Sequence, residues 1–220
     1  MRFISHRGSW GAMLFALFLV LSGCANLDRK ITGVTLKPGA QPAPIAALAL
    51  VFITPDWADR DPGLAQGYRM SGVMNDTLMK RTTDRAAEFM TLNGVPTTYA
   101  GSFGRANPLG TVLSDWSAKG YSTLVFVPTG ATVSSQNGVP VYASVRYRVM
   151  LYDRQLRPAL ELFDEYSATA ITSNQADTAA AGWINALTSS GYAVKKGDKL
   201  LQPPYRDFVR EENERKAAGK

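Results

Sequence analysis

The chain has 220 residues, of which 24 are lysine or arginine and 18 are aspartate or glutamate, with a single histidine and a single cysteine. A hydrophobic content of 45% and a charged content of 19% are typical of a folded globular chain and exclude a disordered one. One cysteine excludes both an internal disulfide framework and a zinc site built on cysteine, because each needs at least two thiols.

The first 23 residues have the features of a secretory signal peptide. Arg2 and Arg7 precede an apolar run from Trp10 to Leu21. The run has 12 residues, or about 18 Å as a helix, whereas a bilayer core needs about 20 residues. A basic start, a short apolar centre and then small residues are typical of a signal peptide. The alternative is a short buried helix, but both charges before residue 28 are basic and stand ahead of the run.

The apolar run ends in Leu21-Ser22-Gly23-Cys24. An aliphatic residue, two small residues and a cysteine resemble the lipobox of bacterial lipoproteins. The resemblance covers about the first 25 residues. It implies that the bond between Gly23 and Cys24 is cut and that the Cys24 thiol is diacylated, with palmitate-type chains, and that the new amine is often acylated too. Each buried methylene contributes about 0.8 kcal/mol, so two or three chains form a membrane anchor.

The residues around the anchor predict where the protein goes. Arg2 and Arg7 are not adjacent, which favours the general secretory route over the twin-arginine route. In enteric-type lipoproteins an aspartate directly after the cysteine favours retention at the inner membrane, and Ala25 stands there instead. The resemblance therefore implies sorting to the inner leaflet of the outer membrane, facing the periplasm.

Processing changes the chemistry of the chain. The processed chain, residues 24–220, does not contain His6, and lipidation leaves no free thiol on Cys24. A Ser-His-Asp triad, a Cys-His pair and zinc sites built on histidine or cysteine are then excluded. Catalysis by a carboxylate pair, by a Ser-Lys dyad or by an oxygen-bound metal is compatible with this composition, but the sequence contains no clear signature of any of the three. Loss of Arg2 and Arg7 lowers the net charge from +6 to +4. We therefore expect neither an enzyme nor a cofactor.

The first half of the folded chain alternates between predicted strands and helices. An apolar run bounded by prolines predicts a buried strand, and helical spacing with a stop at Asn93-Gly94 predicts a long helix. This order implies right-handed crossovers and a parallel βαβαβ sheet. The predicted elements are a strand over Ile45–Thr54, a helix over Gly67–Leu92, a strand over Val95–Tyr99, a helix from Pro108 to Lys119, and a strand over Tyr121–Val127 that stops at Pro128.

The second half predicts an antiparallel hairpin and a helix. Val139–Tyr152 alternates between apolar and polar residues, and Leu160–Ile171 alternates less strictly. A turn centred near Gln155 and Leu156 would place Arg146 opposite Glu165 on the solvent face. Ser173 to Ser189 reads as a helix that ends before Gly191. Its predicted buried residues are Ala180, Trp183, Ile184 and Leu187.

These elements predict an α/β fold: a mixed sheet with parallel βαβαβ, then an antiparallel hairpin and a C-terminal helix. The order is similar in topology to the N-terminal module of TolB and to curli-secretion lipoproteins, although no motif matches, and fold does not fix function. The predicted organisation is a signal peptide (1–23), a lipid-anchored tether (24–44), an α/β domain (45–194) and a charged C-terminal tail (195–220). Residues 206–220 of this tail have too few apolar residues to pack firmly, which favours a frayed helix or a disordered tail over a buried element.

Three features are candidate sites, each with a structural explanation beside it. Asp56, Asp59 and Asp61 follow the first strand and could serve a hydrolase or hold Ca²⁺, but turn-forming aspartates explain them more simply. The glycine-rich stretch 101–110, with Arg105, could hold a phosphate, although a flexible connection is favoured. A methionine-bearing stripe on the long helix could bind lipid, but such stripes more often pack in the core.

The sequence therefore predicts a non-enzymatic binding or scaffolding module on the periplasmic side of the cell envelope. Its expected partners are the membrane, through Cys24, and an envelope protein or glycan. Export argues against a nucleic-acid partner, despite the basic charge. The alternatives are a carboxylate-based envelope hydrolase and a carrier of lipid or another apolar ligand.

Overall fold

The structure, a computed structural model, describes residues 30–53, 76–104, 108–136, 139–167, 173–194, 197 and 199–219. Within these ranges, six strands form one mixed sheet accompanied by four helices. The strands are β1 (Lys30–Leu36), β2 (Leu48–Ile53), β3 (Thr97–Phe103), β4 (Ser122–Gln136), β5 (Val139–Tyr152) and β6 (Pro158–Ser167). The helices are α1 (Asp76–Leu92), α2 (Leu109–Ala118), α3 (Ser173–Ser189) and α4 (Phe208–Ala217).

The predicted α/β class and its parallel βαβαβ unit are confirmed. The strand order is β1-β6-β5-β4-β2-β3, and β2 pairs in parallel with both β3 and β4. Residues 48–51 of β2 are fully buried, as expected for a strand covered on both faces. Helix α1 ends before Asn93 and Gly94, and Gly94 takes the left-handed conformation (φ 91°) that a helix stop requires.

The predicted hairpin register is also confirmed. β5 and β6 are antiparallel, and Arg146 lies directly opposite Glu165. Their side chains meet on the solvent face, with 3.4 Å between Arg146 Nη2 and Glu165 Oε2. The alternation of β5 determines this result, since a slip of one residue would turn its buried residues to solvent.

The main core lies between the sheet and the pair of helices α1 and α3. The rings of Phe52 and Phe126 stack with centroids 4.4 Å apart, and Trp183 of α3 lies 4.8 Å from Phe126. Ala180, Ile184 and Leu187 are buried beside Trp183, as predicted. On the other face of the sheet, Val112 and Leu113 of α2 form a smaller cluster on β2 and β4.

The expectation of a spacer over residues 24–44 is corrected, because residues 30–36 form β1 at one edge of the sheet. β1 pairs with β6 in antiparallel fashion. Ile31 packs beside Gly182 of α3, where a β-carbon on the glycine would lie 2.5 Å from Ile31 Cδ1. Glycine therefore lets α3 approach β1 closely. The strand was missed because Gly33 interrupts its short alternation.

The prediction that Pro128 would stop the fourth strand is wrong, since β4 continues to Gln136. The ladder between β2 and β4 ends at Phe126, while the ladder between β4 and β5 continues across Pro128 with a register shift before Gly130. A proline is tolerated here because it lies at an irregularity beyond the two-sided part of the strand.

The expectation that residues 206–220 would not pack firmly is corrected at Phe208, and residues 201–204 of the tail also contact the α/β domain. Asn93, directly after α1, donates to the Leu201 carbonyl oxygen (2.9 Å) and accepts from the Leu201 N–H (2.8 Å). Arg85 donates to the carbonyl oxygens of Pro203 and Pro204. Phe208 is fully buried at the start of α4. The polar side chains of Arg85 in α1 and of Asn93 after it hold this segment, which is why its low apolar content was misleading.

Candidate functional site

In the part of the chain that the structure describes, the sheet face that carries α2 is covered only in part. Helix α2 packs over β2 and β4 and against Tyr152 at the end of β5, whereas the other described outward residues of β1, β5 and β6 are not part of this cluster. The side chains of Arg146 and Arg148 are 63% and 46% exposed. We call this surface the open sheet face; its outward residues are Thr32, Thr35, Arg146, Arg148, Met150, Glu161, Phe163 and Glu165.

Pairing across the three strands arranges the open sheet face in rows. Residues directly opposite each other in antiparallel strands share a face. The middle row contains Thr32, Phe163 and Arg148, and Phe163 therefore lies at the centre. The two flanking rows are Glu165 and Arg146 on one side, and Thr35, Glu161 and Met150 on the other.

Alternating charges surround this centre. Glu161 accepts a hydrogen bond from Arg148 Nε at 2.6 Å and a second one from Lys37. Arg146 and Glu165 form the other pair. The exposed Arg146–Glu165 pair contributes little to stability, at most about 1 kcal/mol, whereas the Lys37–Glu161 pair is partly buried. Their main effect is to give the face a fixed pattern of positive and negative groups.

Phe163 is an exposed aromatic side chain, 38% accessible, packed over a glycine. A β-carbon on Gly33 would lie 3.0 Å from Phe163 Cδ2. Gly33 has a φ of 63° at an irregularity in the β1–β6 ladder, a conformation that other residues adopt at a cost. A surface recess of about 410 Å³ borders the ring, lined by Thr32, Arg146, Phe163 and Glu165.

A second groove lies between α1 and the edge strand β3. It has a volume of about 440 Å³ and is bordered by Asp84, Glu88, Leu92 and Tyr99, among others. At this edge, Thr91 Oγ1 accepts from the Thr97 N–H (2.9 Å) and donates to the Thr97 carbonyl oxygen (3.3 Å). The Thr91 hydroxyl thus occupies both backbone groups of Thr97 at the strand edge, and the register shifts farther along β3. Both features hinder the pairing of this edge with another strand.

The candidate residues predicted from the sequence fall largely outside the described residues. Gly23 and Cys24 do so, as do Asp56, Asp59, Asp61 and Arg105. The methionines of the predicted stripe, Met70 and Met74, lie there too, and of its later members Phe89 is buried and Leu92 is 40% exposed. Among the residues described, no three histidine, cysteine or carboxylate side chains are close enough to hold a metal ion. No helix in that part of the chain is both long and apolar enough to span a bilayer.

Phe163 and its neighbour Asp164 lie on the faces of the sheet opposite to those that their side-chain polarity suggests, and sequence reasoning missed this. Phe163 faces solvent, whereas Asp164 is fully buried on the core side. The Asp164 carboxylate accepts a hydrogen bond from Trp183 Nε1 at 2.9 Å, which compensates part of the cost of burial. The alternation of Leu160 and Leu162 contained the signal, because it places residue 163 with Glu161 and Glu165 on the outer face.

Comparisons with known proteins give no family for the chain. No protein-family model matches it, and no curated protein does. Two solved structures of PelC from Paraburkholderia phytofirmans, both dodecamers and one of a variant, resemble it. Their sequence identities are 12% and 13%, with TM-scores of 0.38 and 0.40. The matches cover 73% and 72% of this chain, and 96% and 97% of the PelC chains. A likeness this low carries no argument about function.

Proposed function

We propose that the protein is a lipid-anchored lipoprotein of the cell envelope, facing the periplasm from the outer membrane, and that it binds another envelope protein through the open sheet face. The sequence Leu21-Ser22-Gly23-Cys24 supports the anchor. Phe163, exposed at the centre of a ring of charged residues, is the single observation that supports the binding role.

The residue types of the open sheet face favour a protein partner. Aromatic residues, methionine and arginine are enriched at protein interfaces, and a polar rim commonly surrounds an apolar centre. Here Phe163 is the centre, and Arg146 and Glu165 belong to the rim. A matching partner offers an apolar recess for the Phe163 ring, flanked by a carboxylate and a basic group.

The size of the face predicts a weak interaction. Three strands about 4.8 Å apart, each contributing about 20 Å of length, give an area of about 290 Å². A stable interface buries about 800 Å² on each partner, so a second copy meeting this face alone would not form a stable dimer. Confinement of two partners to one membrane raises their effective concentration, and a weak contact then suffices.

Fatty-acid labelling tests the anchor. Cells expressing the wild-type chain, Cys24→Ala or the neighbouring control Asn26→Ala receive a fatty acid that can be detected. We expect label on the wild type and on the control and none on Cys24→Ala, whose precursor also stays uncleaved. Equal labelling of all three proteins contradicts the anchor.

Cross-linking in cells tests the binding face. A photo-reactive amino acid replaces Phe163 in one variant and Leu156, in the β5–β6 turn, in the control. The two native side chains are similarly exposed, at 38% and 40%. We expect an adduct with one defined envelope protein at 163 and not at 156. The same adduct at both positions, or an adduct between two copies of this chain, contradicts the proposal.

Binding of the identified partner, once purified, then gives the energetics. Truncation of a central aromatic residue commonly costs 2–4 kcal/mol of binding energy, or about 30- to 1,000-fold in affinity. We expect Phe163→Ala to lose affinity in this range and Leu156→Ala to keep it. Because the Phe163 ring also packs on Gly33, thermal midpoints are measured in parallel. Arg146→Glu, at a 63% exposed position, changes the charge pattern without removing a packed ring. Unchanged affinity in both face variants contradicts the proposal.

A further inference from the structure

We infer that residues 201–208 are an internal ligand, bound in a groove that recognises extended, proline-containing chain and that also accepts such a segment from a partner protein. We call these residues the strap, and the surface around Arg85 and Asn93 that holds them the strap groove. The groove lies on the side of the sheet that carries α1 and α3, opposite the open sheet face. The inference therefore depends neither on the lipid anchor nor on the binding proposed for that face.

Asn93 recognises the backbone of the strap. Its side-chain amide donates to the Leu201 carbonyl oxygen (2.9 Å) and accepts from the Leu201 N–H (2.8 Å). Leu201 itself stays 52% exposed. Any residue except proline, which has no N–H, can make the same two bonds. This end of the groove therefore recognises extended chain with little regard to the side chain.

Arg85 recognises two successive prolines. Its Nη2 donates to the Pro203 carbonyl oxygen (2.7 Å), and its Nη1 donates to the Pro204 carbonyl oxygen (2.8 Å). Proline has a fixed φ and no N–H, so two prolines in an extended chain offer only acceptors. A guanidinium offers only donors, and its planar fork reaches two acceptors at once. The chemistry of Arg85 therefore complements this dipeptide.

Both side chains of the groove are held in place by residues outside the strap. Asn93 Nδ2 also donates to the Phe89 carbonyl oxygen of α1 (2.8 Å). Arg85 is fixed by its two hydrogen bonds to Asp177 of α3, at 2.7 and 2.9 Å. These bonds remain when the strap leaves, so the groove keeps its geometry and loses little entropy on binding a new segment.

The strap is attached more loosely than the elements beneath it. Among the residues that the structure describes, 201–206 form no backbone-to-backbone hydrogen bond with a strand or a helix. Pro203 and Phe208 are buried, but Tyr205 between them is 59% exposed. Release of the strap uncovers these two residues and polar groups that water can hydrate, and it leaves the core between the sheet, α1 and α3 in place. Segments of this kind open locally, without global unfolding.

The contacts of the strap define the partner segment. It is extended, contains two successive prolines, and has an aromatic residue four positions after the second proline, as Phe208 follows Pro204. Because the strap is attached to the domain, its effective concentration at the groove is on the order of millimolar. A partner segment must compete with it and binds tightly only when the strap is weakened. The strap is thus an autoinhibitory contact.

A peptide added to the full chain tests this competition. The probe is a fluorescent synthetic peptide with the sequence of residues 199–217, and its anisotropy measures binding. The proteins are the wild type, Phe208→Ala, whose strap loses its buried ring, and the control Tyr205→Ala, which alters an exposed residue of the same strap. We expect Phe208→Ala to bind the peptide at least about tenfold more tightly than the other two proteins, because a larger fraction of its grooves is open. A peptide that itself carries Phe208→Ala should bind at least about tenfold more weakly.

Hydrogen exchange in the wild type tests release of the strap without any variant, so a folding defect of Phe208→Ala does not leave the inference undecided. The Leu201 amide is bonded to Asn93, whereas Val149 lies in the centre of the sheet between β4 and β6. We expect the Leu201 amide to exchange at least about 100-fold faster than the Val149 amide, at a rate that low concentrations of urea do not change.

Three results overturn the inference. Equal affinity of the three proteins for the peptide shows that the strap does not compete for the groove. Exchange of the Leu201 amide at the rate of the Val149 amide shows that the strap leaves only on global unfolding. A wild-type dimer in light scattering that Phe208→Ala dissociates shows that the strap occupies the groove of a second copy instead.

Discussion

Substitution of Arg85 by methionine should be the most destabilising single change in the link between α1, α3 and the C-terminal segment. The Arg85 side chain is 2% exposed. It donates from Nε to Asp177 Oδ1 (2.7 Å) and from Nη2 to Asp177 Oδ2 (2.9 Å). It also donates to the carbonyl oxygens of Pro203 (2.7 Å) and Pro204 (2.8 Å). One guanidinium thus satisfies a buried carboxylate on α3 and two backbone acceptors near α4.

The expected loss of stability in Arg85→Met follows from the Asp177 carboxylate, which stays buried without its partner. Breaking a buried ion pair by removing one partner commonly costs about 3–5 kcal/mol, because the other charge stays buried without compensation. Arg85→Met should therefore lower the free energy of unfolding by that amount. Arg85→Met with Asp177→Leu removes the orphaned charge, and the double variant should be at least about 2 kcal/mol more stable than the sum of the two single effects predicts. Lys80→Met, which breaks an exposed pair with Asp84, should cost less than about 1 kcal/mol.

Urea unfolding followed by circular dichroism measures these free energies, and hydrogen exchange measures the local effect. We expect the amide of Leu201, which is bonded to Asn93, to exchange faster in Arg85→Met and to stay protected in Lys80→Met. A loss below about 1 kcal/mol in Arg85→Met, or strict additivity in the double variant, would refute the assignment of this network as a buried, coupled unit.

Two further predictions concern the β5–β6 turn. Burial raises the pKa of Asp153, but hydrogen bonds from Arg157 and from the Gln155 N–H outweigh it, so the pKa lies below its ordinary value. The stability advantage of the wild type over Asp153→Asn should be present above about pH 4, the ordinary aspartate value, and disappear as the pH falls through the lower pKa of the folded state; urea unfolding across acid pH measures it, and a pH-independent difference contradicts it. Leu156 is 40% exposed and has a left-handed φ of 62°, so Leu156→Gly should be about 1 kcal/mol more stable than Leu156→Ala, which keeps the strain. Equal thermal midpoints would show that this backbone conformation costs nothing.

Elements with a long, regular pattern were predictable from the sequence. β5 spans Val139–Tyr152 and α3 spans Ser173–Ser189, both as the sequence predicts. Fourteen alternating residues leave one register that buries the apolar set. In α3 the buried positions repeat at helical spacing, and the helix ends before Gly191, which takes a left-handed φ of 79°. Local chemistry and burial agree in these segments, so a single sequence suffices.

Elements that depend on distant partners were not predictable. β1 is held by its ladder with β6, and its exposed Val34 and Leu36 show no clean face. Residues 201–204 are held by the side chains of Arg85 and Asn93, more than a hundred residues earlier in the chain. Nothing in either segment's own composition indicates these contacts. For the same reason the open sheet face could not be assembled from the sequence, since its rows combine β1 with β5 and β6.

The register of β6 requires residue 163 to face solvent, but it does not require that residue to be phenylalanine. A slip of β6 by one residue would bring Phe163 to the core and Asp164 to solvent, but it would also expose Leu160 and Leu162. The register is therefore held by the leucines, and Asp164 is accommodated by its hydrogen bond with Trp183. Position 163 must then face outward whatever residue it carries, and a polar side chain there would avoid exposing apolar surface. Contact with Gly33 explains part of the ring's packing. The remaining 38% of Phe163 is accessible to solvent and does not contribute to the packing of the fold. This makes Phe163 the residue on which to test binding first.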